Sequence, residues 1–351
     1  MIYLGNDYSY GALTQVLNHL VEINNLGETG YGEDPITERT RQLLLDKCGL
    51  EDGEVFFLTG GTQTNIVALD WFLRAGEGVL CAEGAHINVH EAGAIEATGH
   101  KVIPLTTEAG KLTAKAIERY MTAFFSDPTW QHMVVPGCVY LSQPTEIGTL
   151  YTLKELQDIR EICDRFSLRL YVDGARLIYA LGSEENDVTL QDLADFTDGF
   201  YIGGTKCGTL FGEALILPGL LPELEKKRLF GLIKRHGALL AKGWLAAAQF
   251  EVLFKEDLYL EVGSEAVKKA LRLRDSLHAI GIKSPWQSPT NQQFFIIPTP
   301  LLEPLSKELT FDLWGTPGPE ESTIRLVTDW HTTSSDLTTA ITLIRHLYIK
   351  D

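Results

Sequence analysis

Apolar residues recur along this chain at two different periods. In "TERTRQLLLDKC" (37–48) they fall at helical spacing, "EVFFLTGG" (54–61) reads as a strand running into a glycine turn, and "TQTNIVALDWFLR" (62–74) resumes a helix. The rhythm continues through "EGVLCAEGAH", "HKVIPL", the helical "TAKAIERYMTAFF", "GCVYLSQP", the amphipathic "TLKELQDIREICDRF" and "LRLYVDGA". Strand, turn and helix in alternation predict an α/β fold. Several strands are apolar on both sides of their alternation, which predicts a central sheet covered on both faces. From Leu221 to Phe254 the pattern turns strongly helical, and "NQQFFIIPT" with "TIRLVTDWHTT" reads as a small α+β unit. The expected division lies in the long helical region, giving a large domain over 1–245 and a small one over 246–351.

Composition narrows the partners. At 351 residues with 44% hydrophobic side chains the chain can bury a large core. Thirty Lys and Arg against 47 Asp and Glu leave a net charge of −17, which argues against nucleic acid and anionic membrane as partners. No apolar run reaches the roughly 20 residues of a spanning helix, and the expected location is the cytoplasm. The five cysteines are scattered without C-x-x-C spacing and read as reduced, mostly buried thiols.

The chemistry centres on "DGFYIGGTKCGTLFGEALI" (198–216), which sets Lys206 between two segments that read as buried strands. A buried ammonium is costly unless paired or neutralised, and a desolvated lysine becomes a nucleophilic amine. If its partner is the aldehyde of pyridoxal phosphate, three further features are needed: an acidic partner for the ring nitrogen, a phosphate cup and a group that stacks on the ring. Asp173, in "YVDGARL", stands at the carboxyl end of a strand, where α/β sheets bind ligands. In "LTGGTQTN" (58–65), Gly60 and Gly61 free backbone N–H groups at a helix start, and Thr62 and Thr64 add hydroxyls. His86 supplies a ring. Ordinary readings stand beside these: a capping role for Asp173, a surface role for Arg176, and a plain turn with Thr as N-cap. "HINVHE" also spaces His86 and His90 for a metal, but the H-E-x-x-H pattern is incomplete and no metal is assigned. A nicotinamide oxidoreductase is disfavoured, because no strand leads into G-x-G-x-x-G.

Taken in order, "GYGEDPITERT" (30–40), "LTGGTQTN" (58–65), "GAHINVHEAGA" (84–94), "YVDGARL" (171–177), "GGTKCG" (203–208) and "IRLVTDW" (324–330) span nearly the whole chain. They resemble the pyridoxal-phosphate enzymes grouped as threonine aldolases and aromatic amino-acid β-eliminating lyases. The resemblance implies a fold-type I transferase-like α/β fold, with a mostly parallel seven-stranded sheet and a small C-terminal α+β domain. It also implies a homodimer or homotetramer with active sites at the dimer interface, and an amino acid as substrate. Lys206 would hold pyridoxal 5'-phosphate covalently, Asp173 would pair with its ring nitrogen, His86 would stack on the ring, and Gly60, Gly61 and Thr62 would hold the phosphate. Arg176 and Arg325 match the arginines expected to grip the substrate carboxylate. Tyr31 and Glu33 would lie near the active site of the partner subunit.

Two departures bear on the reaction. Where the aldolase pattern carries a histidine placed to contact the substrate hydroxyl, "SQPTEIGTLY" has Glu146, either a base for the hydroxyl proton or a structural acceptor. Where the pattern carries a phosphate-binding arginine, this chain has Leu240, leaving Lys234, Arg235 or Lys242 as substitutes. The expected reaction is cleavage of a threonine, allo-threonine or phenylserine type substrate to glycine and an aldehyde. The alternatives are β-elimination from an aromatic or sulfur amino acid, and a non-catalytic module on the same fold.

Overall fold

Seven runs of apolar residues become one sheet because each can bury both of its faces. In the computed structural model, which describes residues 1–350, these are β1 (Gly53–Leu58), β2 (Glu77–Ala82), β3 (Lys101–Leu105), β4 (Val135–Ser142), β5 (Arg169–Asp173), β6 (Gly199–Gly203) and β7 (Glu213–Pro218). Their order across the sheet is β1-β7-β6-β5-β4-β2-β3. The pairs from β6 to β3 are parallel, and β7 runs antiparallel to both its neighbours.

Alternation along each strand splits the core into two layers. Leu170 and Val172 of β5, Phe200 and Ile202 of β6 and Ile216 of β7 join one cluster, with Phe250, Leu253 and Phe254 packed there. Tyr171, Tyr201, Leu215 and Leu217 point the other way, into a second cluster with Val67 and Leu69. All the central strands are therefore covered by helices on both sides, as their apolar composition requires. Helix starts follow local chemistry: Asp34 accepts the Thr37 N–H at 2.7 Å with Pro35 at the first helical position, and Thr152 with Glu155 forms a reciprocal cap. Each such cap is worth about 1 kcal/mol.

The C-terminal sheet contains β8 (Gln292–Pro298), β9 (Asp312–Leu313) and β10 (Glu321–Val327) in the antiparallel order β9-β10-β8. Its core gathers Phe295, Ile297, Ile324 and Leu326 with Leu273 and Leu277 of the long helix Leu258–His278. The helix starting at residue 244, Trp244–Lys255, packs Phe250, Leu253 and Phe254 into the large core, and Leu273 and Leu277 of the next helix enter the small one. The amino-terminal segment forms a separate two-stranded parallel sheet beside this one. Ile2 and Tyr3 pair with Leu309 and Thr310, and the Val327 N–H donates to the Leu4 carbonyl at 2.7 Å. Among the described residues no helix is long and apolar enough to cross a membrane.

Candidate active site

The carboxyl ends of β1, β5 and β6 reach the same end of the sheet and open onto one cleft. β5 finishes at Asp173, opposite Ser142 of β4. The next residue, Gly174, lies so close to β6 that a Cβ would stand 1.8 Å from the Tyr201 carbonyl oxygen. Asp173 is buried, and three donors fix its carboxylate: Tyr140 hydroxyl at 2.6 Å, Asn65 amide at 3.0 Å and Ala175 N–H at 2.9 Å. Asn65 also donates to Glu91 at 2.8 Å, and Glu91 Oε1 lies 2.7 Å from His86 Nδ1. One chain of polar contacts thus runs from the Asp173 carboxylate to the His86 ring, and the ring keeps its other nitrogen for the cleft.

β6 ends at Gly203, and a tight turn delivers Lys206. The side chain keeps some surface along the cleft, yet the protein closes around its amine densely enough that burial pulls its pKa down. Arg176 adds to that, while Asp7, Asp173 and Glu213 oppose it. β1 ends at Leu58, two residues before Gly60, the N-cap of Gly61–Phe72, and no side chain caps this helix. Open N–H groups at a helix start, reinforced by the dipole, attract an anion. A Cβ at Gly60 would meet nothing within 4 Å, whereas one at Gly61 would lie 2.9 Å from the Tyr201 hydroxyl. Thr62, exposed in the first turn, borders the same cavity.

Two cavities, about 280 and 490 Å³, share Tyr8, His86, Glu146, Arg176 and Lys206. The inner one adds Gly60, Gly61, Thr62, Asp173 and Glu213, and the outer one adds His90, Asp312, Trp314 and Arg325. Glu146 stands between them: its Oε1 accepts the Ser142 hydroxyl at 2.7 Å and the His86 N–H at 2.9 Å. Burial raises its pKa against the pull of these hydrogen bonds.

The two arginines are held differently. Arg176 presents Nε and Nη2 to Asp7 at 2.7 and 3.0 Å, a bidentate pair inside the protein, and Asn291 donates to the same carboxylate at 3.0 Å. Burial alone would raise the Asp7 pKa; Arg176, with Lys206, outweighs it and holds the carboxyl below its ordinary value. Arg325 donates to Gln292 at 2.9 Å and to Asp312, and its guanidinium stands 5.3 Å from the Trp314 ring centre. Its buried Nε has no partner among the described residues. Burial, then Arg176, lowers its pKa. An inner pocket with an anion cup, a carboxylate and an amine suits a phosphorylated ring bearing a carbonyl, and an outer pocket with two arginines suits a carboxylate.

Of the residues singled out in the sequence, Gly60, Gly61, Thr62, His86, Glu146, Asp173, Arg176, Lys206 and Arg325 line these joined cavities. Tyr31 and Glu33 line a separate cavity of about 200 Å³ together with Leu240. Lys234 lies 5.1 Å from the Tyr31 ring centre, and Arg235 pairs with Asp70. The sequence reading missed Asp7, Tyr8, Asn65, Glu91, Tyr140 and Glu213. Glu213 carried a usable signal, a carboxylate inside "GEALIL", where every neighbour is apolar or glycine.

The family model described as beta-eliminating lyase matches residues 14–296. The low specificity L-threonine aldolase of Pseudomonas aeruginosa is 30% identical over 315 residues, 86% of each chain. A solved threonine aldolase from Leishmania major is 39% identical, with a TM-score of 0.94 over 99% of this chain and all of that one. An aromatic aminotransferase from Pyrococcus horikoshii, 17% identical, superposes with a TM-score of 0.73 over 99% of this chain and 95% of its own, a likeness of fold alone. With most of its length matched by the family model and the site built at the ends of the central strands, the chain belongs to the beta-eliminating lyase family.

Proposed function

We propose that the protein is a lyase that cleaves the Cα–Cβ bond of threonine-type β-hydroxy amino acids, releasing glycine and an aldehyde, with pyridoxal 5'-phosphate as cofactor. The residues present suit that group. The uncapped start of Gly61–Phe72 offers N–H groups to a phosphate, Asp173 is a fixed carboxylate for a ring nitrogen, His86 offers a face, and Lys206 an amine of lowered pKa. When bound, the cofactor supplies an electron sink for the bond that breaks at Cα.

The chain's own residues supply position and proton transfer. Arg325, with Nε unpartnered, and Arg176, with its fork anchored on Asp7, bind the substrate carboxylate and so fix which bond at Cα is aligned for cleavage. Glu146, at the junction of the two cavities with its pKa raised by burial, accepts the β-hydroxyl proton. Tyr31 and Glu33, which line a separate cavity of their own chain, serve the cleft of a second copy in a homodimer or homotetramer.

The observation that carries this reading is the convergence of Lys206, Asp173, His86, Arg176 and Glu146 on one cleft, in a chain so similar to threonine aldolases along its length. The test is to incubate the cofactor-loaded protein with threonine and phenylserine isomers, and separately with tryptophan, tyrosine and cysteine. Glycine plus aldehyde from the first set is the expected result. Pyruvate plus ammonia from the second, with none from the first, would replace this reading by β-elimination.

A further inference from the structure

Glu213 has no role in the function just described, yet it occupies the middle of the site. In strand register it lies opposite Leu58 of β1 on one side and Gly203 of β6 on the other. It is thus set between the strand end that leads to the Gly60 cup and the one that leads to Lys206. The residue is only 4% exposed. Its Oε2 accepts the Gly204 N–H at 3.0 Å, and next to it the Thr205 hydroxyl accepts the Gly212 N–H at 3.1 Å, closing the turn. The carboxyl therefore pins the turn that presents Lys206, and the two side chains line one cavity.

A buried amine that must alternate between charged and neutral forms faces a solvation problem, since each change of charge would have to be matched by an ion or proton from water. A carboxyl in the same cavity removes it. We propose that Glu213 is the positioning and proton-storing partner of Lys206: it fixes the Gly204–Lys206 turn and takes up the proton that Lys206 sheds on becoming a nucleophile. In balance, Lys206–NH₃⁺ and Glu213–COO⁻ become Lys206–NH₂ and Glu213–COOH. One proton moves across the shared cavity, no redox partner is needed, and the net charge of the pair is the same before and after.

The electrostatics of the site favour this sharing. Burial, then Arg176, pulls the Lys206 pKa down, and burial pushes Glu213 up to about 8, so the two groups approach one another from opposite ends of the scale. The other charged groups around the pair divide by sign. Asp7 from the amino-terminal segment and Asp173 from β5 favour the charged lysine, and Arg176 opposes it. Asp173 raises Glu213 further. His86, Glu146, Tyr8 and Tyr201 complete the ionisable lining of the cavity.

The inference rests on Lys206 being the amine that captures the cofactor, so the experiment separates the two. The full-length protein, stripped of cofactor, is methylated with formaldehyde and cyanoborohydride across a pH series, and the rate at Lys206 is read by peptide mass spectrometry. Formaldehyde does not titrate, so the curve reports the amine. The wild type is expected to rise in two steps with a plateau between them, the signature of a shared proton. Glu213→Gln, which keeps an oxygen for the Gly204 N–H, is expected to rise in a single step, roughly one pH unit or more below the wild type's upper step. One step in the wild type overturns the proposal, even if the variant does not fold, and so does a common curve for both proteins. Separately, borohydride reduction of the cofactor-loaded wild type locates the cofactor. Cofactor on Lys206 with a one-step methylation curve sinks this inference alone, whereas cofactor on another lysine sinks the proposed function as well.

Discussion

Replacing Asp7 by Asn should damage the protein in two ways at once. The substitution keeps the volume and one acceptor oxygen, so what it removes is a charge. Asp7 is buried, and its carboxylate receives both Nε and Nη2 of Arg176 as well as the Asn291 amide. Removing one partner of a buried pair strands the other, at a cost of about 3–5 kcal/mol. With an unfolding entropy of roughly 2.1 cal/mol/K per residue, that corresponds to a drop in Tm of roughly 4–7 °C. The stranded guanidinium also loses the anchor that aims it, so KM for the amino acid should rise more than kcat falls. The pH dependence has a definite sign. The folded-state pKa of Asp7 lies below its ordinary value of 3.8, so its contribution is complete above that value and is lost as pH falls through the lower, folded one. The variant should therefore show a flatter loss of Tm below about pH 4. Thermal melts from pH 3 to 8 and steady-state kinetics test this. A variant that melts within a degree of the wild type, with an unchanged KM, would refute the assignment of Asp7 as the charge that holds Arg176.

Other outcomes follow from the same geometry. Lys206→Ala should abolish the visible absorbance of the cofactor-loaded protein and its trapping by borohydride, while a far-ultraviolet spectrum stays that of the wild type. Glu146→Gln should lower turnover of threonine by roughly 10²–10⁴-fold with cofactor absorbance retained. Because burial raises the Glu146 pKa above 4.5, the wild-type rate should climb with pH through a midpoint above that value, and this limb should vanish in the variant. Gly174→Ala would press a methyl group against the Tyr201 carbonyl, 1.8 Å from the ideal Cβ. Its denaturation midpoint should fall sharply, or soluble protein should not accumulate, and a wild-type midpoint would contradict the close approach of β5 to β6.

Local chemistry made part of this site legible in the sequence. Lys206 betrayed itself because a charge among glycines between two apolar runs has few structural excuses, and Asp173 because it ends a strand that is otherwise apolar. Arg176 was visible as a residue, but its partner was not: Asp7 is 169 positions away and sits in "GNDYSYG", which reads as a surface turn. Asn65 was hidden likewise, 108 positions from Asp173, whereas Glu91 lies five positions from His86 and is marked only by polarity; the role of each depends on which strand ends come together. Sheet order decides that. The antiparallel insertion of β7 between β1 and β6 is what brings Glu213 opposite both Leu58 and Gly203, and periodicity reports a strand without its neighbours. The long helices were easier to see than the division between the two cores, because a helix that packs against either core shows the same apolar stripe.

The opening residues of the chain tie this architecture to the order in which it is made. Leu4 is fastened to Val327 and Thr310, Asp7 to Arg176 and Asn291, and Tyr8 borders both cavities. Every one of those partners leaves the ribosome long after the segment that needs them. Residues 2–8 are thus made before the partners that place them, and the cleft stays unfinished until about residue 327 has emerged. Any change to residues 2–8 accordingly acts on the closing event of assembly, and losing Asp7 takes the anchor from Arg176.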